Sequence, residues 1–105
     1  MVLIPTNRVA EHPGEFLAEL LEDYEMSANA LARAVRVPPN RITAILNGER
    51  GITTDTALRL ARYFSMSPEF WMNAQMTHDL SKANMDEQLQ ASIARDVQPR
   101  QLAVA

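Results

Sequence analysis

The segment Pro39-Asn40-Arg41-Ile42-Thr43-Ala44-Ile45-Leu46-Asn47 carries two amides, a guanidinium and a hydroxyl within nine residues. At about 100° per residue in a helix, Ile42, Ile45 and Leu46 fall within a narrow arc, and they must be buried. Asn40, Ala44 and Asn47 then point directly away, flanked by Arg41 and Thr43. An asparagine amide can grip adenine through two hydrogen bonds. Arginine can do the same with guanine, or pair with a phosphate. The plainer alternative is a polar outer face with no ligand.

Other chemistry finds little support. Cysteine is absent, which excludes disulfide scaffolds, thiol nucleophiles and Cys-based metal sites. The two histidines, His12 and His78, are too few and too separated for an evident catalytic or metal cluster. The acids Glu15, Glu19, Glu22 and Asp23 lack any sign of burial or an electrophilic partner, so a solvated face accounts for them better than acid–base catalysis. No nucleophile–base pair or phosphate loop is visible. The chain is expected not to be an enzyme, and no cofactor or metal is implied.

The net charge of −3 argues against a nucleic-acid partner until its distribution is considered. Residues 1–26 hold one base against six acids, a net −5. Residues 27–62 hold six arginines against two acids, a net +4, and residues 63–105 return to −2. Local charge outweighs the total when phosphates lie within a Debye length. The basic middle also contains the Asn40–Asn47 constellation.

The elements that must position these side chains are helical. With 105 residues, 47% of them hydrophobic, the chain suits one globular domain. No convincing alternating strand or repeat occurs, so the expected fold is all-α with five helices and a C-terminal helical extension. The first helix opens at His12-Pro13-Gly14-Glu15, with proline suited to its first position. Phe16, Leu20 and Tyr24, with Leu17 and Leu21, form its apolar stripe. Ser27 caps a second helix whose Leu31, Ala34 and Val35 face inward. After Arg36-Val37-Pro38, Pro39 opens a third helix, closed by Asn47-Gly48. Thr54 caps a fourth, with Ala57, Leu58, Ala61 and Phe64 as its stripe. Ser67-Pro68-Glu69 starts a fifth that carries Phe70, Trp71, Ala74 and Met76, with Trp71 expected in the core. Met85, Leu89 and Ile93 recur every four residues, a stripe too thin to fold alone. It is expected to dock on this domain or on a partner. The tail 98–105 is expected to be flexible.

No apolar run approaches membrane-spanning length, and Pro5 interrupts the apolar start too early for a signal peptide. A soluble cytoplasmic protein is therefore expected, with no membrane partner.

Two short helices joined by a tight turn, inside a helical domain with local positive charge, have the layout of a helix-turn-helix. The amides at the start of the helix capped by Ser27 can meet a phosphate. The segments Ser27-Ala28-Asn29-Ala30-Leu31-Ala32-Arg33-Ala34-Val35, Val37-Pro38-Pro39-Asn40-Arg41-Ile42 and Asn47-Gly48 resemble the helix-turn-helix of phage-repressor-like proteins of the Cro/C1 (XRE) type. His12-Pro13-Gly14-Glu15, Thr54-Asp55-Thr56-Ala57-Leu58-Arg59-Leu60-Ala61 and Ser67-Pro68-Glu69-Phe70-Trp71-Met72-Asn73 narrow the resemblance to the HigA/VapI antitoxins. It covers residues 12–80, taken as the DNA-binding domain, with the helix-turn-helix at 27–47 and the extension at 81–97. The family's turn often has glycine where this chain has Arg36. A left-handed arginine there costs about 1 kcal/mol. Pro38 stands where Ser or Thr usually precedes the recognition helix.

The resemblance implies two linked roles. Such proteins neutralise a HigB-type toxin, a small RelE-like endoribonuclease, by direct binding. They also repress their own operon by binding double-stranded operator DNA as dimers. By position, the resemblance makes Asn40, Arg41, Thr43, Ala44 and Asn47 candidates for reading bases. It makes Ser27, Asn29, Arg33 and Arg50 candidates for phosphate contact.

Two surfaces complete the expectations. One short recognition helix buries too little for tight specific binding, which favours a homodimer, with Leu89, Ile93 and the surface of the fifth helix as candidate contacts. A ribonuclease is basic where it grips RNA, so the acidic first helix, through Glu15, Glu19, Glu22 and Asp23, is the candidate toxin-binding surface, with the acidic C-terminal segment as the rival site. A stand-alone regulator without a toxin partner remains the alternative. A protein-interaction module that no longer reads DNA is a third reading, opposed by the local positive charge.

Overall fold

The computed structural model describes residues 4–5 and 7–103. Over these it is all-helical: α1 (Pro13–Asp23), α2 (Ala28–Val35), α3 (Pro39–Leu46), α4 (Thr54–Phe64), α5 (Pro68–Asn84) and α6 (Glu87–Asp96). Of the expected tail, residues 98–103 carry no regular structure, and 104–105 lie outside the described residues, as do residues 1–3 of the apolar start.

Each helix start has a local cause. The His12 Nδ1 accepts the Gly14 amide at 2.9 Å and so caps α1. Ser27 Oγ accepts from the Ala30 amide at 3.0 Å, and Asp86 Oδ1 from the Leu89 amide at 3.0 Å. The cap of α4 is Thr53, whose Oγ1 accepts from the Thr56 amide, and not Thr54, which is already helical. Only Thr53 has the extended backbone that turns its hydroxyl toward the free amides. Pro38 precedes α3 with no side-chain cap, and Pro39 takes the first helical position, where a missing N–H costs nothing.

Three helix ends pass through left-handed residues that are not glycine: Glu25, Arg36 and Ser65. In each case the next amide folds back onto the helix: Met26 to Leu21, Val37 to Ala32 and Met66 to Ala61. The Arg36 conformation is the one expected of the helix-turn-helix turn. Gly48, at φ 74°, closes α3 in the same way, with the Glu49 amide on the Ala44 carbonyl at 2.9 Å.

The core gathers Leu17 and Leu21 of α1, Leu31, Ala32 and Val35 of α2, Ile42 and Ile45 of α3, Ala57, Leu60 and Phe64 of α4, and Trp71 of α5. Trp71 is fully buried, with the Phe16 and Phe70 rings each 5.5 Å away. Several apolar positions expected inside are outside. Leu58, Tyr24, Phe70 and Met76 are exposed, and Ala34 yields its place to Ala32. The α4 stripe is centred on Ala57, Leu60, Ala61 and Phe64, and Leu58 falls beyond its edge.

Two contacts fix the frame. At Gly14, α1 approaches α3 so closely that a Cβ would collide with the Ile45 carbonyl oxygen. At the other side, the segment before α1 is tied to α5. Ser81 Oγ accepts the Ala10 amide, and His78 Nδ1 donates to the Ala10 carbonyl at 2.8 Å. His78 is thus structural. In contrast, α6 buries none of its residues.

Candidate nucleic-acid interface

The turn between α2 and α3 is set from below. Val37, the residue after the left-handed Arg36, is buried, which seats the turn on the core. Arg59 of α4 reaches up to it, with Nη1 donating to the Val35 carbonyl at 2.8 Å and to the Arg36 carbonyl at 3.4 Å. The carbonyls left free at the end of α2 therefore have a charged partner. This is what presents α3 at a fixed angle.

Burial of Ile42 and Ile45 orients α3. Asn40, Thr43 and Asn47 are exposed, and Ala44 is half-buried between them. Thr43 Oγ1 leans back to the Pro39 and Asn40 carbonyls, both at 3.4 Å. Arg41 differs from its neighbours. Its side chain is 25% exposed, and its Nη1 donates to Asp55 Oδ2 at 2.7 Å rather than projecting outward. The same carboxylate oxygen accepts from Arg59 Nε at 3.0 Å. The Arg59 hydrogen bond, reinforced by Arg41, holds the Asp55 carboxyl below the usual carboxylate range.

Around α3, Ser27, Asn29, Arg33 and Arg50 are all exposed. The Ser27 oxygen is committed to its cap, which leaves its hydroxyl hydrogen free to donate. Asp55 and Arg59 are the members of this cluster that sequence reasoning missed. Their i, i+4 spacing was a visible signal. The Arg41–Asp55 pair, 14 residues apart, had none.

The other expected surfaces lie elsewhere. Glu15, Glu19, Glu22 and Asp23 are exposed, and their spacing puts them on one side of α1, away from Leu17 and Leu21. Leu89 and Ile93 are exposed on α6. A further apolar row, Met72, Met76 and Leu80, recurs every four residues on α5 and is also exposed. Among the described residues no helix is long and apolar enough to cross a membrane.

With this geometry in view, the helix-turn-helix family model matches residues 17–71, from α1 to the first turn of α5. The chain belongs to the helix-turn-helix family. Virulence-associated protein I of Dichelobacter nodosus is 50% identical over 80 residues, 75% of this chain and 74% of that protein. An addiction module antidote protein of the HigA family from Coxiella burnetii has a similar structure, with TM-score 0.77 and 48% identity over 88% of this chain and 99% of that one. The Pseudomonas aeruginosa antitoxin HigA, in a structure with higBA promoter, has TM-score 0.76 and 39% identity over 85% of this chain and 96% of that one. α2, the Arg36 turn and α3 all lie within the matched span.

Proposed function

We propose that this chain is the antitoxin of a type II toxin–antitoxin pair and the repressor of its own operon. It binds double-stranded operator DNA as a homodimer, with α3 in the major groove. Asn40, Arg41, Thr43, Ala44 and Asn47 face base edges, and Ser27, Asn29, Arg33 and Arg50 meet phosphates. The observation that carries this reading is the exposed amide-bearing face of α3, held on the Arg36 turn, in a chain 39% identical to an antitoxin described with its promoter.

The toxin is a HigB/RelE-like ribonuclease, and the acidic side of α1 is the surface that meets it. Charge complementarity with an RNA-gripping protein supports that choice. Exposed apolar side chains at Met72, Met76, Leu80, Leu89 and Ile93 supply the homodimer contact, since a row of this kind marks a partner surface. The DNA-binding domain spans 12–80, with 81–97 as the extension, and the protein works in the cytoplasm.

The two roles separate by mutation. Asn40→Ala/Arg41→Ala should lose operator binding, each base contact being worth about 1–3 kcal/mol, yet still rescue cells from the toxin. Glu19→Lys/Glu22→Lys should slow toxin association, most visibly at low salt, and leave operator binding intact. Discrimination of the operator from random DNA by the Asn40→Ala/Arg41→Ala protein would displace the recognition helix. Operator binding without any rescue by the unmodified protein would leave a stand-alone regulator. Sedimentation as a monomer, on and off DNA, would remove the dimer.

A further inference from the structure

One carboxylate oxygen, Asp55 Oδ2, serves two guanidinium groups. They are not equivalent. Arg59 is anchored by its bonds to the turn carbonyls of Val35 and Arg36. Arg41 has Asp55 as its only side-chain bond partner among the described residues, and its buried Nε has none. Its guanidinium thus lies back against α4 with one donor used, one buried donor idle and the rest uncommitted.

We propose that Asp55 sets DNA specificity by latching Arg41 to α4 until a correctly placed acceptor on the operator draws it out. The proposal rests on the reading of α3 as the recognition helix. In the latched state the charge of Arg41 is neutralised at short range, so it adds little attraction toward the phosphates of random DNA. A guanine edge offers two acceptors to a guanidinium, whereas Asp55 engages it through a single oxygen. Exchange is then favourable where the sequence supplies that edge at the right place. Asp55 is not left without a partner when Arg41 departs, because Arg59 stays. A simple staple between α3 and α4 makes the opposite demand. Its loss weakens binding to every DNA, while loss of a latch strengthens binding to random DNA.

The test is fluorescence anisotropy of the full chain with an operator duplex and a scrambled duplex, over a salt series. Asp55→Asn should bind the scrambled duplex about 5- to 10-fold more tightly near 0.1 M salt, with a salt slope steeper by about one for each protomer bound. The operator-to-scrambled affinity ratio should fall. In an Arg41→Ala background, Asp55→Asn should produce no such gain, because Arg41 is what it releases. Scrambled binding that is unchanged or weaker in a natively folded Asp55→Asn protein would overturn the latch. An equal gain in the Arg41→Ala background would also overturn it, by assigning the effect to bulk charge. Asp55→Ser provides a second variant. Loss of the native circular dichroism spectrum in both would assign Asp55 to the fold and end the proposal. Failure of the unmodified protein to prefer its operator would instead overturn the recognition-helix reading itself.

Discussion

The Ser81 hydroxyl accepts the amide hydrogen of Ala10 at 2.7 Å, across 71 residues of sequence. Ser81 is fully buried and donates in turn to the His78 carbonyl at 2.9 Å. This one side chain ties the segment that leads into α1 to the last turn of α5. Ser81→Ala should leave the Ala10 amide without its partner and cost about 1–3 kcal/mol in chemical denaturation. A midpoint identical to that of the parent would show that the segment needs no such tie.

Trp71 is the largest side chain of the core, with no exposed surface. Trp71→Ala should cost about 3–5 kcal/mol. As the sole tryptophan it also reports on its own surroundings. Native emission should lie well to the blue of free indole and shift red on unfolding. Emission typical of free indole in the native protein would contradict the burial.

Arg36 holds φ 63° at the turn between α2 and α3, where an L side chain is strained. Arg36→Gly should relieve that strain and raise stability by about 0.5–1 kcal/mol, the gain being limited by the greater freedom of glycine in the unfolded chain. Its side chain is exposed, so no packing is lost. Thermal unfolding of the variant beside the parent measures the difference, and a lower midpoint would contradict it.

Burial pushes the His12 imidazole below its ordinary value, and the neighbouring His78 adds to the effect. The ring must be unprotonated at Nδ1 to accept the Gly14 amide. Because the unfolded chain binds this proton more readily, the stability that His12 contributes is complete above about pH 6.5 and is lost as pH falls through the depressed folded value. Unfolding free energies measured from about pH 7.5 to about pH 5, the range of histidine titration, should therefore decline. His12→Asn keeps a capping acceptor without the titration. Its profile over the same range should be flatter, and parallel profiles would assign the decline to other groups.

Much of this architecture is written in short-range signals. Ser27, Pro39, Asn47-Gly48 and Ser67-Pro68-Glu69 each mark a boundary through cap or proline chemistry, and α2, α3 and α5 begin or end where they stand. The polar face of α3 was legible for the same reason, since helical periodicity alone separates Asn40 and Asn47 from Ile42 and Ile45. On α4 the expected stripe took Leu58 in place of Leu60, although Leu60, three residues after Ala57, fits the helical period better. Periodicity was less informative where two faces are apolar, and it could not see that Phe70 would sit at the rim of the Trp71 cluster. Asp55 carried no local sign of reaching Arg41, a partner in a different helix. Side chains that meet only through tertiary packing leave no spacing to read.

The contact at Gly14 has a mechanical consequence. Side-chain interfaces absorb small displacements by changing rotamer, but α1 meets the Ile45 carbonyl through backbone, which has no rotamer to change. The two helices are therefore geared. A force that tilts α1 carries α3 along or breaks the contact, and one that fixes α3 limits in turn how α1 can tilt. Whatever free energy is exchanged in this way must be equal in both directions. A single hydrogen atom in place of a methyl group thus sets how stiffly the acidic side of the molecule is coupled to its basic side.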